Sequence, residues 1–136
     1  MNTDKNPMKH EGLTNQIIQC FYTVYNRLGY GFLESVYQKA MLIEERKIGL
    51  RVGTEVPISV YYEEQIVGEF YADQIVENLV IVEFKAVRTL LPEHEAQLLN
   101  YLNATSCEVG LLFNFGPQAQ FKRKVFDNEN KKYKRK

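Results

Sequence analysis

Leu79-Val80-Ile81-Val82-Glu83-Phe84-Lys85-Ala86-Val87 is the stretch that decides the fold. Built as a strand, it is apolar on both faces apart from Glu83 and Lys85. A run of this kind belongs in the centre of a sheet covered on both sides. Upstream, Val56 to Tyr62 and Gln65 to Val76 read as two further strands joined at Glu63-Glu64, with Glu77-Asn78 leading into the central run. Downstream, Pro92 is suited to open a helix from His94 to about Ala104, with Ala96, Leu99 and Leu102 or Asn103 along one side. Val109 to Phe115 reads as a fourth strand ended by Gly116-Pro117, and Phe121 to Phe126 as a fifth.

The N-terminal part has a different period. Ile17, Phe21, Val24 and Leu28 follow Leu13 at helical spacing, with Thr14 or Asn15 as a cap and Gly29 as a stop. After Gly31, Phe32, Val36, Ala40 and Ile43 form one stripe and Leu33, Tyr37 and Met41 another. Two stripes predict a second helix buried on much of its circumference. The whole reads as an α/β domain with a mixed central sheet flanked by helices, in the order α-α-β-β-β-α-β-β. Residues 1–12 are polar and aperiodic and read as a flexible arm, residues 13–127 as the domain, and residues 128–136 as a basic tail.

Composition bounds the function. The chain has 136 residues, with 17 Lys or Arg against 17 Asp or Glu, enough for one domain. No apolar stretch approaches the roughly 20 residues of a membrane helix, and the N-terminus has no apolar core of a secretory signal. Cys20 and Cys107 sit in apolar patterns and read as free buried thiols, which points to a cytoplasmic protein. Two Cys and two His do not make a closed zinc site. The neutral total hides an asymmetry. From Lys122 onward eight basic residues face only Asp127 and Glu129, so a +6 segment follows a −6 body. Lys122, Arg123 and Lys124 are candidate phosphate contacts.

The chemistry centres on the buried strand. Glu83 and Lys85 are two apart and share one face, where a charge must be paired or must bind a metal. They form either an internal ion pair or part of a site. Asp73, near the end of the preceding strand, can supply a second carboxylate. Two carboxylates beside a Lys suit an oxygen-ligated divalent ion, most naturally Mg²⁺. Register decides this. A two-residue turn at Glu77-Asn78 pairs Asp73 with Val82 and sends it to the other face, so the site requires a three-residue connection or a β-bulge. Glu34 is a third acid, on the second helix, where a solvent-facing role is the alternative. Gln97 and Tyr101 are spaced i, i+4 and share one side of the later helix. They suit phosphate contact or support of the Lys and water, or else a rim Gln and a core Tyr.

Asp73, Glu83-Phe84-Lys85 and Gln97-x-x-x-Tyr101 together resemble the core of the PD-(D/E)XK nuclease superfamily. Gly31-x-x-Glu34-x-x-Tyr37 is similar to the motif of its GxxExxY branch, and the likeness runs from about Leu13 to Phe126. Ala72 stands where the superfamily's name has proline. The resemblance implies a restriction-endonuclease-like αβββαβ core and a metal-dependent nuclease acting on DNA, or on RNA. Its Mg²⁺ or Mn²⁺ would be held by Asp73, Glu83, the Phe84 carbonyl and Glu34. Lys85 would activate water, with Gln97 and Tyr101 completing the catalytic set. A homodimer would supply the two sites of a double-strand cut. The alternative is a catalytically silent module of the same fold that binds nucleic acid or a protein.

Overall fold

In a computed structural model that describes residues 8–131, helices α1 (Glu11–Leu28) and α2 (Glu34–Lys47) precede a β-meander. The meander is β1 (Val52–Tyr62), β2 (Gln65–Val76) and β3 (Val80–Lys85). Helix α3 (Pro92–Asn103) then crosses to β4 (Val109–Phe115), which turns back into β5 (Ala119–Val125) and a short 3-10 turn, Asn128–Asn130. The five strands lie side by side in chain order. Among the described residues only β3 and β4 pair in parallel, as the α3 crossover between them requires; the other pairs are antiparallel. This is the mixed α/β sheet with flanking helices that the strand pattern predicts. Residues 1–7 and 132–136, most of the expected arm and tail, lie outside the described residues. No described helix is long and apolar enough to cross a membrane.

Two apolar layers cover the sheet. Val80, Val82 and Phe84 face Ile17, Phe21, Val24, Tyr37 and Met41 of α1 and α2, while Ile81 faces Leu98, Tyr101 and Leu102 of α3. Val80 through Phe84 are all buried, so the central run takes the doubly covered position. Both cysteines are free and buried.

Three sequence expectations need correction. α1 begins at Glu11, ahead of the proposed caps Thr14 and Asn15, because His10 takes a left-handed conformation and starts the helix. α3 buries Leu98, Tyr101 and Leu102; Ala96 is exposed, so the predicted stripe is rotated by about one residue. The largest error concerns α2. Only Tyr37, Met41 and Glu45 are buried on it, while Val36 and Ile43 are exposed and Phe32 and Leu33 precede the helix altogether. Apolar character on two faces did not mean burial on two faces, because α2 is covered by the sheet and by α1 and its outer face is left to solvent.

The sheet bends where β1 and β2 pass from one layer to the other. Val52 packs toward α1 and α2 but Val56 and Ile58 toward α3, although even positions of one strand ordinarily share a face. The break falls at Glu55, whose φ of 51° is left-handed. Register is unbroken through it, with Thr54 opposite Gln74 and Val56 opposite Ala72, so Glu55 faces Asp73.

Candidate active site

The connection from β2 to β3 settles the register. Val76 pairs with Val80, which leaves three residues, Glu77, Asn78 and Leu79, in the turn. Glu77 and Asn78 both have positive φ, and Arg51 holds Glu77 through its backbone N–H at 2.7 Å and its guanidinium at 2.9 Å. The ladder ends at Gln74 opposite Val82, so the next position sets Asp73 opposite Glu83.

There the strands stop bonding backbone to backbone and exchange side chains instead. The Asp73 N–H donates to Glu83 Oε2 at 2.8 Å, and the Phe84 N–H donates to Asp73 Oδ2 at 2.8 Å. Two backbone donors freed by the parting strands are thus satisfied by two carboxylates, which are locked against each other. The other oxygen of each acid carries no hydrogen bond from the described residues.

Burial, and then the nearby Asp73 charge, push the Glu83 carboxyl up to about 8. Burial also raises Asp73, against the Phe84 N–H bond that favours its ionised form. The charges of Glu34 and Glu55 raise Asp73 further, and Lys85 favours ionisation of both acids. Asp73 thus feels the charges of Glu34 and Glu55, and Glu83 those of Asp73 and Glu55. Lys85, half-buried at the end of β3, makes no ion pair within 4 Å among the described residues, so the internal Glu83–Lys85 bridge is not formed. Tyr101 is buried on α3 with its ring centroid 5.8 Å from that of Phe70, and burial together with the Glu83 and Asp73 charges raises its hydroxyl. Gln97, one turn earlier, is exposed and makes no hydrogen bond among the described residues.

The donor set fits a hard divalent cation in one respect and limits it in another. Paired carboxylates with free oxygens are suitable ligands, and a cation would relieve their mutual repulsion. No group of three or more His, Cys, Asp or Glu side chains is close enough to form a cage among the described residues. An ion held by two acids would keep most positions for water and phosphate, as Mg²⁺ commonly does.

Sequence reading missed Glu55. It precedes an apparent strand start, and only the β1–β2 pairing brings it to Asp73; no local signal marks it. The basic trio is divided between the two faces of β5. Lys124 is paired with Glu95 at 2.6 Å and Arg123 is bonded to the Lys9 carbonyl on the opposite face of β5, leaving Lys122 exposed.

The sequence model of the PD-(D/E)XK nuclease superfamily matches residues 11–125. The chain belongs to that superfamily. Its fold is similar to the crystal structure of SSO0001, with a TM-score of 0.56 and 20% identity over 68% of this chain. The matched region is 50% of that protein's length, and the likeness is one of fold. No curated relative matches the chain.

Proposed function

We propose that this protein is a divalent-metal-dependent phosphodiesterase that cuts DNA, with RNA as the second substrate class. The interlocked Asp73–Glu83 pair with Lys85 on the same strand is the observation that carries this reading. Asp73, Glu83 and the Phe84 carbonyl would hold Mg²⁺ or Mn²⁺, with Glu34 as an additional acid. The bound ion would supply charge neutralisation at the scissile phosphate and a water of lowered pKa.

Lys85, which has no carboxylate partner within 4 Å among the described residues, would hold that water and stabilise charge developing on the phosphate. Tyr101 and Gln97 would border the bound strand from α3, and Lys122 would meet its backbone. Gly31, Glu34 and Tyr37 support membership of the GxxExxY branch. Free buried thiols suit a cytoplasmic protein. A homodimer would provide two sites for a double-strand cut.

A thermal melt tests the reading. Millimolar Mg²⁺ or Mn²⁺ is expected to raise the melting temperature of wild type by mass action and to leave Asp73→Ala unmoved. Digestion of single- and double-stranded DNA runs alongside. An absent metal response would reject the nuclease and leave the silent module. Lys85→Ala separates binding from chemistry. It should keep the metal-dependent rise and lose cleavage by about 100- to 1000-fold, the usual cost of one charge-stabilising donor. An unchanged rate in that variant would remove Lys85 from the mechanism.

A further inference from the structure

The loop between α1 and α2 is unusually apolar for a surface segment. Tyr30, Phe32 and Leu33 are 61%, 50% and 77% exposed. They form one wall of a groove of about 380 Å³ whose other wall includes Val87, Arg88 and Gly116. Both walls are direct continuations of the candidate site. Leu33 precedes Glu34, whose charge reaches Asp73, and Ala86 and Val87 follow Lys85.

We infer that this groove holds an unpaired nucleobase of the bound strand, with Tyr30 and Phe32 as stacking faces and Arg88 on the adjoining phosphate. The inference rests on the nuclease reading and narrows its substrate to nucleic acid with single-stranded or splayed bases beside the scissile phosphate. Exposed aromatic rings offer what a base face requires, and every base has such a face. A duplex keeps its base faces stacked and presents only edges and phosphates. Arg88 makes no ion pair within 4 Å among the described residues, so its charge is available to phosphate. The joined features, aromatic faces, a free guanidinium and continuity with a phosphodiester site, fit a nucleic-acid strand better than a purely apolar partner.

The groove is rigidly built, which lowers the ordering cost of binding. Gly31 has φ 115°, a conformation that favours glycine. The buried Tyr37 hydroxyl grips the loop at both ends: it donates to the Gly29 carbonyl at 2.7 Å and accepts from the Phe32 N–H at 3.2 Å. On the opposite wall the buried Asn114 side chain bonds both the N–H and the carbonyl of Val87, each at 2.9 Å. Gly116 closes against the same residue, since a Cβ there would lie 2.1 Å from the Val87 carbonyl oxygen. Gly31 and Tyr37, which take no part in the acid site, thereby acquire a role: they hold the stacking wall in place next to Glu34.

The test is equilibrium binding of a fluorescein-labelled oligothymidylate and of a blunt duplex, in Ca²⁺ rather than Mg²⁺ so that binding is separated from turnover. Wild type should prefer the single strand. Tyr30→Ala and Phe32→Ala should weaken it by about five- to a hundredfold, in line with the usual effect of losing one stacked base. Phe32→Trp should restore binding, duplex affinity should not change, and Arg88→Gln should lower the salt dependence by about one phosphate's worth. Melting temperatures near wild type would show that the exposed substitutions leave the fold intact. Unchanged single-strand affinity in the alanine variants overturns the inference and leaves the nuclease reading standing. A change in oligomeric state without a change in affinity also overturns it, because the groove then joins two copies. Failure of wild type to bind either nucleic acid, together with no metal response, rejects the nuclease reading itself.

Discussion

Glu83→Gln is expected to lower metal-dependent cleavage by on the order of a thousandfold while leaving the metal-free protein at least as stable as wild type above about pH 8. The first half follows from charge. The amide keeps an oxygen for the Asp73 N–H, which now bonds Glu83 Oε2 at 2.8 Å, but it gives up the anion that would hold the metal. Losing roughly 4 kcal/mol of transition-state stabilisation corresponds to about a thousandfold in rate. The second half follows from linkage. Glu83 is 5% exposed, and its carboxyl is raised from 4.5 to about 8 in the folded protein. A raised folded value means that the group's favourable contribution is complete below about 4.5 and is lost as pH climbs through 8. Glutamine has no proton to lose and escapes that penalty. The paired readout distinguishes a missing ligand from a damaged fold. Retained cleavage would remove Glu83 from the site, and a large drop in the metal-free melting temperature would mean that the carboxylate is structural.

The second large effect lies away from the site. Glu45 is fully buried on α2, and neither of its oxygens has a hydrogen-bond partner among the described residues. The buried Gln74 amide lies near enough to favour the ionised form slightly, though not in hydrogen-bonding geometry. Burial dominates and pushes the Glu45 carboxyl from 4.5 up to about 7. The sign is the same as for Glu83: stability present below about 4.5 is lost as pH rises through 7. At 1.36 kcal/mol per pH unit, that shift corresponds to about 3 kcal/mol. Glu45→Gln should therefore melt about 10 °C above wild type near pH 9 and close to it near pH 5. Saturating Mg²⁺ in both samples keeps Asp73 and Glu83 ionised on the proposed reading, so the remaining slope reports Glu45. Parallel melting curves across that range would mean that Glu45 keeps an ordinary carboxylate pKa. The same charge, after burial, helps to raise the neighbouring Cys20 thiol to about 11, which keeps it inert.

Much of this was legible in the residues. The run Leu79–Val87 announced the central strand because an element buried on both faces has no room for alternation. Glu63-Glu64 announced a two-residue hairpin, and both residues adopt the positive φ such turns need. Glu83 stood out because an acid in that strand demands an explanation. Burial on α2 was misjudged, since periodicity states which faces are apolar and not which faces find a partner. Glu45 went unnoticed for the converse reason: an acid on a polar-looking helix end gives no local sign that α1 and β2 will enclose it.

What the sequence determined by itself is the order and type of the elements, the covered sheet and the identity of the acid, lysine and aromatic residues. These are properties of side-chain polarity at fixed spacing. Only the tertiary structure decided that Asp73 meets Glu83, that Glu55 and Glu34 join their electrostatic field, and that Tyr30, Phe32 and Arg88 share one groove. Each of these depends on register or on a turn. A shift of one residue in the β2–β3 connection would have sent Asp73 to the opposite face, and a backbone choice of that kind is made by left-handed dihedrals at Glu77 and Asn78 and by long-range pairing.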